Sequence, residues 1–342
     1  MLFKRLYGHS KTINIPTAMN ELSKQSKFTE EEPFNQGFLS PQEGHSIFYE
    51  EHGSPSGLPV VFLHGGPGSG CSPRHRQLFN PRTTRVVFFD QRGCGRSLAD
   101  NILHANTTQH LIDDIERLRK FLEIDNWLVV GGSWGATLGL AYAHMHRQAC
   151  LGAVLRGVFL VRSTDLTWFF QDAQCLLPDA WQAFAQHIPT QHRWQISTYL
   201  FDQILHDTDT SALPLLRAWQ NWENSLTQRC HTEATTELSP NEKQILINKY
   251  KIQSHYLSHQ CFFSPDGVLS LINNLIDLPI HLLHGRLDWI CLPQAAWALH
   301  QELPQSRLQW VDGAGHNPFE PPLFQAMAQA IEDAVTKLNQ LT

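Results

Sequence analysis

The sequence predicts an α/β fold, in which helices flank a mostly parallel central sheet and a helical region is inserted into the chain. Short apolar runs bounded by Gly and Pro alternate with helical patterns up to about residue 161. Strand-like runs then become rare between Arg162 and Asn274, and they return at 280–285 and 308–313. Such an alternation of strands and helices is typical of a parallel sheet that helices cover on both faces.

The composition is that of a globular protein and argues against several kinds of partner. Of the 342 residues, 42% are hydrophobic and 17% are charged, and the formal net charge is −6. A net negative charge argues against nucleic acid or an anionic membrane as the main partner. No run of about 18 apolar residues is present, so we expect no membrane-spanning segment. The sequence carries no signal for an oligomeric state.

The amino-terminal residues and the cysteines indicate a cytoplasmic protein. The first residues, MLFKRLYGHSK, carry positive charge without the apolar core of a secretory signal. The seven cysteines are odd in number and lack CxxC spacing, so we expect free thiols rather than disulfides or a zinc site. Residues 1–35 are predicted to form a poorly ordered arm.

The first part of the core is predicted over residues 36–161. Its predicted strands are short apolar runs bounded by turn residues: 46–53, 60–63, 85–90, 127–130 and 152–157. A helix is predicted before the fourth of these strands, and four apolar residues share its inner face: Leu111, Ile115, Leu118 and Leu122. A second helix is predicted in ATLGLAYAHMH, directly after the fourth strand.

A helical cap is predicted over residues 162–274, and the core is completed over 275–342. The cap mixes Trp, Gln, His and Leu at helical spacing, as in LLRAWQNWENSL. Two further strands are predicted at 280–285 and 308–313. The last helix has five apolar residues on one face: Phe324, Met327, Ile331, Val335 and Leu338.

The stretch GGSWG, residues 131–135, is the strongest signal for chemistry. It fits the pattern G-x-S-x-G between a predicted strand and a predicted helix. In that context small neighbours allow a sharp turn that exposes the serine, which favours Ser133 as a nucleophile. The alternative is a small residue in a tight loop. The following helix would direct its positive end toward developing negative charge.

A serine nucleophile needs a base that a third group orients, and the tail supplies both in the order acid, then histidine. Asp288 follows the strand at 280–285, in HGRLDW, and His316 follows the last strand, in GAGHNP. Both lie in loops at the carboxyl ends of strands, where such folds place chemistry. Asp90 is a competing acid, which we interpret as structural and paired with Arg92 or Arg96.

The oxyanion of an acyl-transfer reaction needs two backbone N–H donors. Trp134, the residue after the nucleophile, supplies the first candidate. Gly66, in the loop HGGPG after an early strand, supplies the second. His255 and His259 have a spacing that can bind metal, but no HExxH surrounds them. We therefore expect neither a metal nor an organic cofactor.

Taken together, these motifs resemble the proline iminopeptidases of the α/β-hydrolase fold. The resemblance runs from about residue 36 to the end and rests on HGGPGSGCSP, FFDQRGCGRS, GGSWGATLGLAYA, LRGVFL and HGRLDWICLP with GAGH. It implies a serine exopeptidase that removes an N-terminal residue, preferably proline, from short peptides with a free N-terminus. It also implies a triad of Ser133, Asp288 and His316.

The resemblance implies a substrate pocket as well. The glutamate of the family motif W-x-x-W-E corresponds to Glu223, which would face the cationic amine of the substrate; a solvated helix acid is the alternative. The two tryptophans of this motif could line the pocket or belong to the core. Further pocket residues implied by the resemblance are Arg156, Phe159 and Cys291.

Two positions depart from the family pattern and affect substrate choice. Gln253 stands where the family has a second cap glutamate, so one of two expected carboxylates is replaced by a neutral amide. Phe170 stands where the family has a tyrosine, which removes a hydroxyl group. A broader-specificity aminopeptidase or an esterase on the same scaffold is therefore the alternative function.

Overall fold

The computed structural model describes residues 32–206, 211–234 and 236–340. Most of the predicted arm, residues 1–31, lies outside the described residues. The described part contains an eight-stranded sheet in which two pairs of neighbouring strands are antiparallel and the remaining neighbours are parallel. The predicted α/β-hydrolase architecture, with a mostly parallel sheet and a helical insertion, is confirmed.

The strands follow the apolar runs of the sequence closely. The strands of the large sheet are β1 (Asn35–Phe38), β3 (Phe48–Gly53), β4 (Leu58–Leu63), β5 (Thr84–Phe89), β7 (Trp127–Gly132), β8 (Cys150–Arg156), β9 (Ile280–Gly285) and β10 (Arg307–Val311). Their order in the sheet is β1-β3-β5-β4-β7-β8-β9-β10, and the antiparallel pairs are β1–β3 and β3–β5. A small antiparallel pair is formed by β2 (His45–Ser46) and β6 (Leu98–Ala99). The sequence did not predict β1, β2 or β6.

The helices of the described residues form two groups. Those that belong to the core are α1 (Thr108–Phe121), α2 (Trp134–Met145), α8 (Pro293–Glu302) and α9 (Pro321–Asn339). Those inserted between β8 and β9 are α3 (Ser163–Phe170), α4 (Pro178–Ala185), α5 (Ile196–His206), α6 (Leu213–Gln228) and α7 (Pro240–Ser258). None of the helices described is long and apolar enough to cross a membrane.

Alternate residues of the central strands pack on opposite sides of the sheet, as the two-residue period of a strand requires. In β4, Val61 and Leu63 join the cluster that contains α1 and α2, whereas Val60 and Phe62 join the cluster that contains α9. The predicted inner face of α1 is buried, with Ile115 fully covered. The sheet is therefore covered on both faces, and its carboxyl edge remains as the place for a site.

The inserted helices lie over that carboxyl edge. Helix α7 crosses the loop after β4 at close range. A methyl group added to Gly68 of this loop would lie only 2.6 Å from the Lys249 carbonyl oxygen of α7. Trp219 and Trp222 of α6 are buried, so both belong to the interior of the insertion rather than to an open surface. The domain boundaries at 161/162 and 274/275 stay predictions.

Candidate active site

Ser133 lies at the sharp turn between β7 and α2. Its backbone has φ 57° and ψ −126°, and a positive φ is rare for a residue with a side chain. A side chain on Gly131 would come within 2.5 Å of the Gly135 carbonyl oxygen, and one on Gly135 would overlap the Leu63 carbonyl. Glycines on both sides therefore permit the turn that presents Ser133 at the carboxyl edge of the sheet.

Asp288 and His316 form a direct hydrogen-bonded pair. His316 Nδ1 lies 2.7 Å from Asp288 Oδ2, and the loops after β9 and β10 bring the two residues together. The other oxygen of the buried Asp288 accepts hydrogen bonds from the backbone N–H groups of Ile290 and Cys291, at 3.0 and 2.9 Å. Burial would raise the pKa of Asp288, but His316 and these donors lower it below its usual value. Asp288 is thus held as a carboxylate.

The end of β8 connects Ser133 to this pair. The Ser133 N–H donates to the Arg156 carbonyl at 2.9 Å. A methyl group on the next residue, Gly157, would lie 3.3 Å from His316 Cε1 and 3.4 Å from Asp288 Oδ2. Burial raises the pKa of the Cys291 thiol, an effect that Ser133 opposes only weakly, so Cys291 remains a thiol. The structure therefore brings the three predicted triad residues to one place.

Arg156 supports the His316 loop from inside the protein. Its Nη1 donates to the His316 carbonyl oxygen at 2.6 Å, and its Nε has no hydrogen-bond partner among the described residues. Burial lowers the pKa of the guanidinium, an effect that the Asp288 carboxylate opposes. A methyl group on Gly132 would come within 2.5 Å of the Arg156 Nε. Arg156 therefore lies against the His316 loop and the turn at Ser133.

The two oxyanion candidates flank Ser133. Trp134 is the first residue of α2, and Gly66 lies in the loop that follows β4. A methyl group on Gly65 would lie 3.5 Å from Ser133 Cβ, so this loop passes directly beside Ser133. Both loop and helix N-terminus are thus adjacent to the position that an attacked carbonyl would occupy.

Gln91, which was not predicted from the sequence, connects the Trp134 side chain to His64, at the start of the loop that carries Gly66. Its side-chain Oε1 accepts from the Trp134 indole N–H at 2.9 Å, and its Nε2 donates to the His64 carbonyl at 3.0 Å. The Gln91 backbone N–H also donates to His64 Nε2 at 3.0 Å. The available signal was its position directly after β5, beside Asp90 in the stretch FFDQRG.

In the cap, Glu223 is held by two neighbours from α7. Its Oε2 accepts from Lys249 Nζ at 3.0 Å and from the Tyr250 hydroxyl at 2.7 Å. Burial would raise the pKa of Glu223, but Lys249 and Tyr250 lower it, and the charge of His316 contributes in the same direction. Glu223 is thus held as a carboxylate. The sequence reasoning did not identify Lys249 or Tyr250.

The remaining predicted pocket residues lie at different depths. Gln253 has its Oε1 buried without a hydrogen-bond partner among the described residues. Phe159 follows the end of β8 and is partly buried, and its carbonyl accepts from the Thr137 hydroxyl at 2.6 Å. Phe170 is buried and packs edge-to-face on Trp219, with ring centroids 5.5 Å apart. It therefore lies within the packed interior of the cap.

The structural interpretation of Asp90 is confirmed, and its partner is Arg96. Asp90 accepts hydrogen bonds from the backbone N–H and the Nε of Arg96, at 3.0 and 2.9 Å, and from the Cys71 N–H at 2.7 Å. Arg92 instead pairs with Asp114. Asp90 thus holds the turn after β5 together and is not part of the pair around His316.

Comparison with known proteins agrees with this geometry. The family model described as the α/β-hydrolase fold matches residues 59–322. The probable proline iminopeptidase of Leptolyngbya boryana is 38% identical over 89% of this chain and 95% of its own length. The proline iminopeptidase of Neisseria meningitidis serogroup A is 39% identical over 90% of this chain and 98% of its own length.

Solved structures share the fold at lower identity. The crystal structure of VinJ has a TM-score of 0.66 and 19% identity, and it covers 90% of this chain and 100% of its own chain. At that identity the likeness supports the fold alone. The near full-length identity to the two iminopeptidases is more specific. This chain belongs to the proline iminopeptidase family of α/β-hydrolase-fold proteins.

Proposed function

We propose that this protein is a serine exopeptidase that releases the N-terminal residue, preferably proline, from short peptides with a free N-terminus. The observation that carries the proposal is the 2.7 Å contact between His316 and Asp288 beside a serine on a strained strand-to-helix turn. Family membership supports the choice of peptide substrates. The free thiols of all seven cysteines support a cytoplasmic location.

In the proposed mechanism, Ser133 Oγ attacks the carbonyl carbon of the first residue while His316 takes its proton. Asp288 keeps the imidazole oriented and stabilises its protonated form. The backbone N–H groups of Gly66 and Trp134 hold the oxyanion. His316 then protonates the leaving amine, and a water molecule hydrolyses the acyl-enzyme with the same group as base.

The substrate end of the site is proposed to lie under α6 and α7. Glu223 provides a carboxylate for the free amine, and Phe159 provides an apolar surface for the proline ring. Gln253 supplies an acceptor, and Cys291 lines the wall beside Ser133. Phe170 shapes the pocket indirectly, through the packing of Trp219. Arg156 positions the His316 loop.

A second candidate is a broader aminopeptidase or an esterase with the same triad. Two observations favour it: Gln253 brings no charge to the pocket, and Glu223 already has a cation beside it in Lys249. Both weaken the electrostatic reason for the pocket to require a free amine.

The decisive experiment compares wild type with Ser133→Ala on the 4-nitroanilides of proline and alanine and on proline methyl ester. We expect wild type to cleave the proline anilide faster than the alanine anilide, and Ser133→Ala to lose roughly a thousandfold or more in kcat. The matched control is Ser56→Ala, an exposed serine, which should retain wild-type rates.

Retained activity in Ser133→Ala would refute the mechanism. Equal rates for the proline and alanine anilides would favour the broader aminopeptidase, and hydrolysis of the ester alone would favour the esterase. A fluorophosphonate should modify wild type once, at Ser133, and leave the Ser133→Ala protein unmodified.

A further inference from the structure

The carboxylate proposed to receive the substrate's amine is already engaged by a cation of the protein itself. Lys249 Nζ lies 3.0 Å from Glu223 Oε2, and the two side chains are similarly shielded, with exposures of 23% and 27%. The Tyr250 hydroxyl donates to the same oxygen at 2.7 Å. A protonated amine that reaches Glu223 therefore meets a carboxylate whose Oε2 already accepts hydrogen bonds from two groups of the protein.

The ion pair between Lys249 and Glu223 lies at the proposed substrate end of the site, so the positive charge of Lys249 offsets the negative charge that a substrate amine would meet. The backbone of Lys249 crosses the loop after β4 at Gly68, in the same loop that passes beside Ser133 at Gly65. The backbone of Lys249 thus lies against the loop that passes beside Ser133.

The side chains of Glu223, Lys249 and Gln253 together carry no net charge. Glu223 contributes one negative charge, and Lys249 contributes one positive charge. Gln253, one helical turn after Lys249 on α7, contributes a neutral amide whose Oε1 is buried and unpaired among the described residues. An amide oxygen carries no net charge, so it favours an ammonium over a neutral N–H or hydroxyl less strongly than a carboxylate does.

We propose that Lys249 determines the substrate class of this site by neutralising Glu223, so that acyl groups without a charged amine are accepted nearly as well as a free N-terminal proline. This inference rests on the proposed function and concerns selectivity alone. The proposed substrates are amides and esters of small cyclic acids whose ring position next to the carbonyl carries a neutral polar atom.

The test uses two substrates that differ in charge at one ring atom. L-Proline 4-nitroanilide carries a ring NH₂⁺ group, and (S)-tetrahydrofuran-2-carboxylic acid 4-nitroanilide carries a ring oxygen of similar size. We expect the kcat/KM values of wild type for the two to agree within about tenfold, because the side chains of Glu223, Lys249 and Gln253 together carry no net charge. Lys249→Met should raise the preference for proline by roughly tenfold or more, mainly through a lower KM, since Glu223 regains a charge-assisted hydrogen bond.

Three further variants separate charge from structure. Lys249→Arg keeps the cation and should keep the wild-type preference. Lys243→Met, on the same helix nearer its N-terminus, is the matched control and should also keep it. Gln253→Glu adds a carboxylate without touching Lys249 and should raise the preference for proline, so the idea remains testable if Lys249→Met does not fold.

An unchanged or lower preference for proline in Lys249→Met would overturn the inference, as would a wild type that prefers proline more than about a hundredfold. Failure of the proposed function has a different signature, in which wild type hydrolyses neither anilide. In that case the role of Lys249 can still be tested by measuring the binding of L-prolinamide by calorimetry to Ser133→Ala and to the double variant that also carries Lys249→Met. Tighter binding to the double variant supports the role of Lys249, and equal binding refutes it.

Discussion

The side chain of Gln91 joins two parts of the proposed oxyanion site that lie far apart in the sequence. The Trp134 indole, 43 residues away in the sequence, donates a hydrogen bond to the Gln91 side chain. The Gln91 side-chain amide in turn donates to the carbonyl of His64, 27 residues away in the sequence. Gln91 is 1% exposed, so both bonds are shielded from water. It touches neither the substrate nor the reacting atoms in the proposed mechanism, which makes it a positioning residue.

Replacement of Gln91 by Met should reduce kcat by about tenfold to a hundredfold with KM changed by less than about threefold, because small displacements of reacting groups are costly. The variant should also lose roughly 1–3 kcal/mol of unfolding free energy, because two buried polar groups lose their partners. Steady-state kinetics and denaturant unfolding measure the two effects. Gln109→Met, an exposed glutamine of α1, is the control. A loss of stability with unchanged kcat would refute the positioning role.

At the scale of single residues, the sequence predicts what is encoded locally. Ser133 is marked by its flanking glycines, and Asp288 and His316 by glycine-containing loops after strands; their catalytic roles stay predictions. Gln91 and Lys249 were missed because their partners lie 43 and 26 residues away, and no local pattern records a contact across that separation. The partner of Arg156 is a backbone carbonyl, which carries no side-chain signal at all.

At the scale of secondary-structure elements, buried strands were predictable and edge elements were not. Strands β4, β5 and β7 are covered on both faces, so they appear as continuous apolar runs. Strand β1 is exposed along most of its length and lacks that pattern. The helical pattern WFFQDAQCLLPDAWQAF is divided between α3, which ends at Phe170, and α4, which begins at Pro178, a residue suited to the first position of a helix.

The approach of α7 to the loop after β4 depends on the absence of a side chain at Gly68. This residue has φ +98°, and a methyl group there would lie 2.6 Å from the Lys249 carbonyl oxygen. We expect Gly68→Ala to displace α7 and to raise KM for proline 4-nitroanilide by roughly tenfold, since the cap would no longer seat on the loop. Kinetics together with denaturant unfolding measure the effect.

Gly313 provides a matched control for this prediction. It also has a positive φ, +73°, but nothing lies within 4 Å of an added methyl group. Gly313→Ala should therefore cost about 1 kcal/mol of unfolding free energy through backbone strain alone and leave KM unchanged. If Gly68→Ala behaves in the same way as Gly313→Ala, the contact between α7 and the loop does not control the cap.

At the scale of the whole molecule, His75 connects the two parts of the core that the inserted helices separate in sequence. Its ring packs on Phe62 of β4, with centroids 4.5 Å apart, and stacks on Phe319 from the segment before α9, at 5.2 Å. The Ser72 N–H donates to His75 Nδ1 at 3.1 Å, which requires that nitrogen to be unprotonated. Protonation of His75 would thus disturb the junction between the amino-terminal and carboxyl-terminal parts of the chain.

The fold should therefore lose stability in mild acid through His75. Burial, together with the charges of Arg156, His64 and Arg74, lowers the pKa of His75 from 6.5 to about 3. The unfolded chain then binds one proton more than the folded protein between these values, so the stabilising contribution is complete above pH 6.5 and falls as the pH decreases toward 3, by up to about 1.4 kcal/mol per pH unit.

His75→Asn retains an acceptor for the Ser72 N–H and removes the titration. In guanidinium unfolding between pH 7.5 and 4.5, this variant should show a flatter dependence of unfolding free energy on pH than wild type, whereas His187→Asn, an exposed control, should follow wild type. Parallel profiles for His75→Asn and wild type would mean that the acid sensitivity arises elsewhere in the molecule.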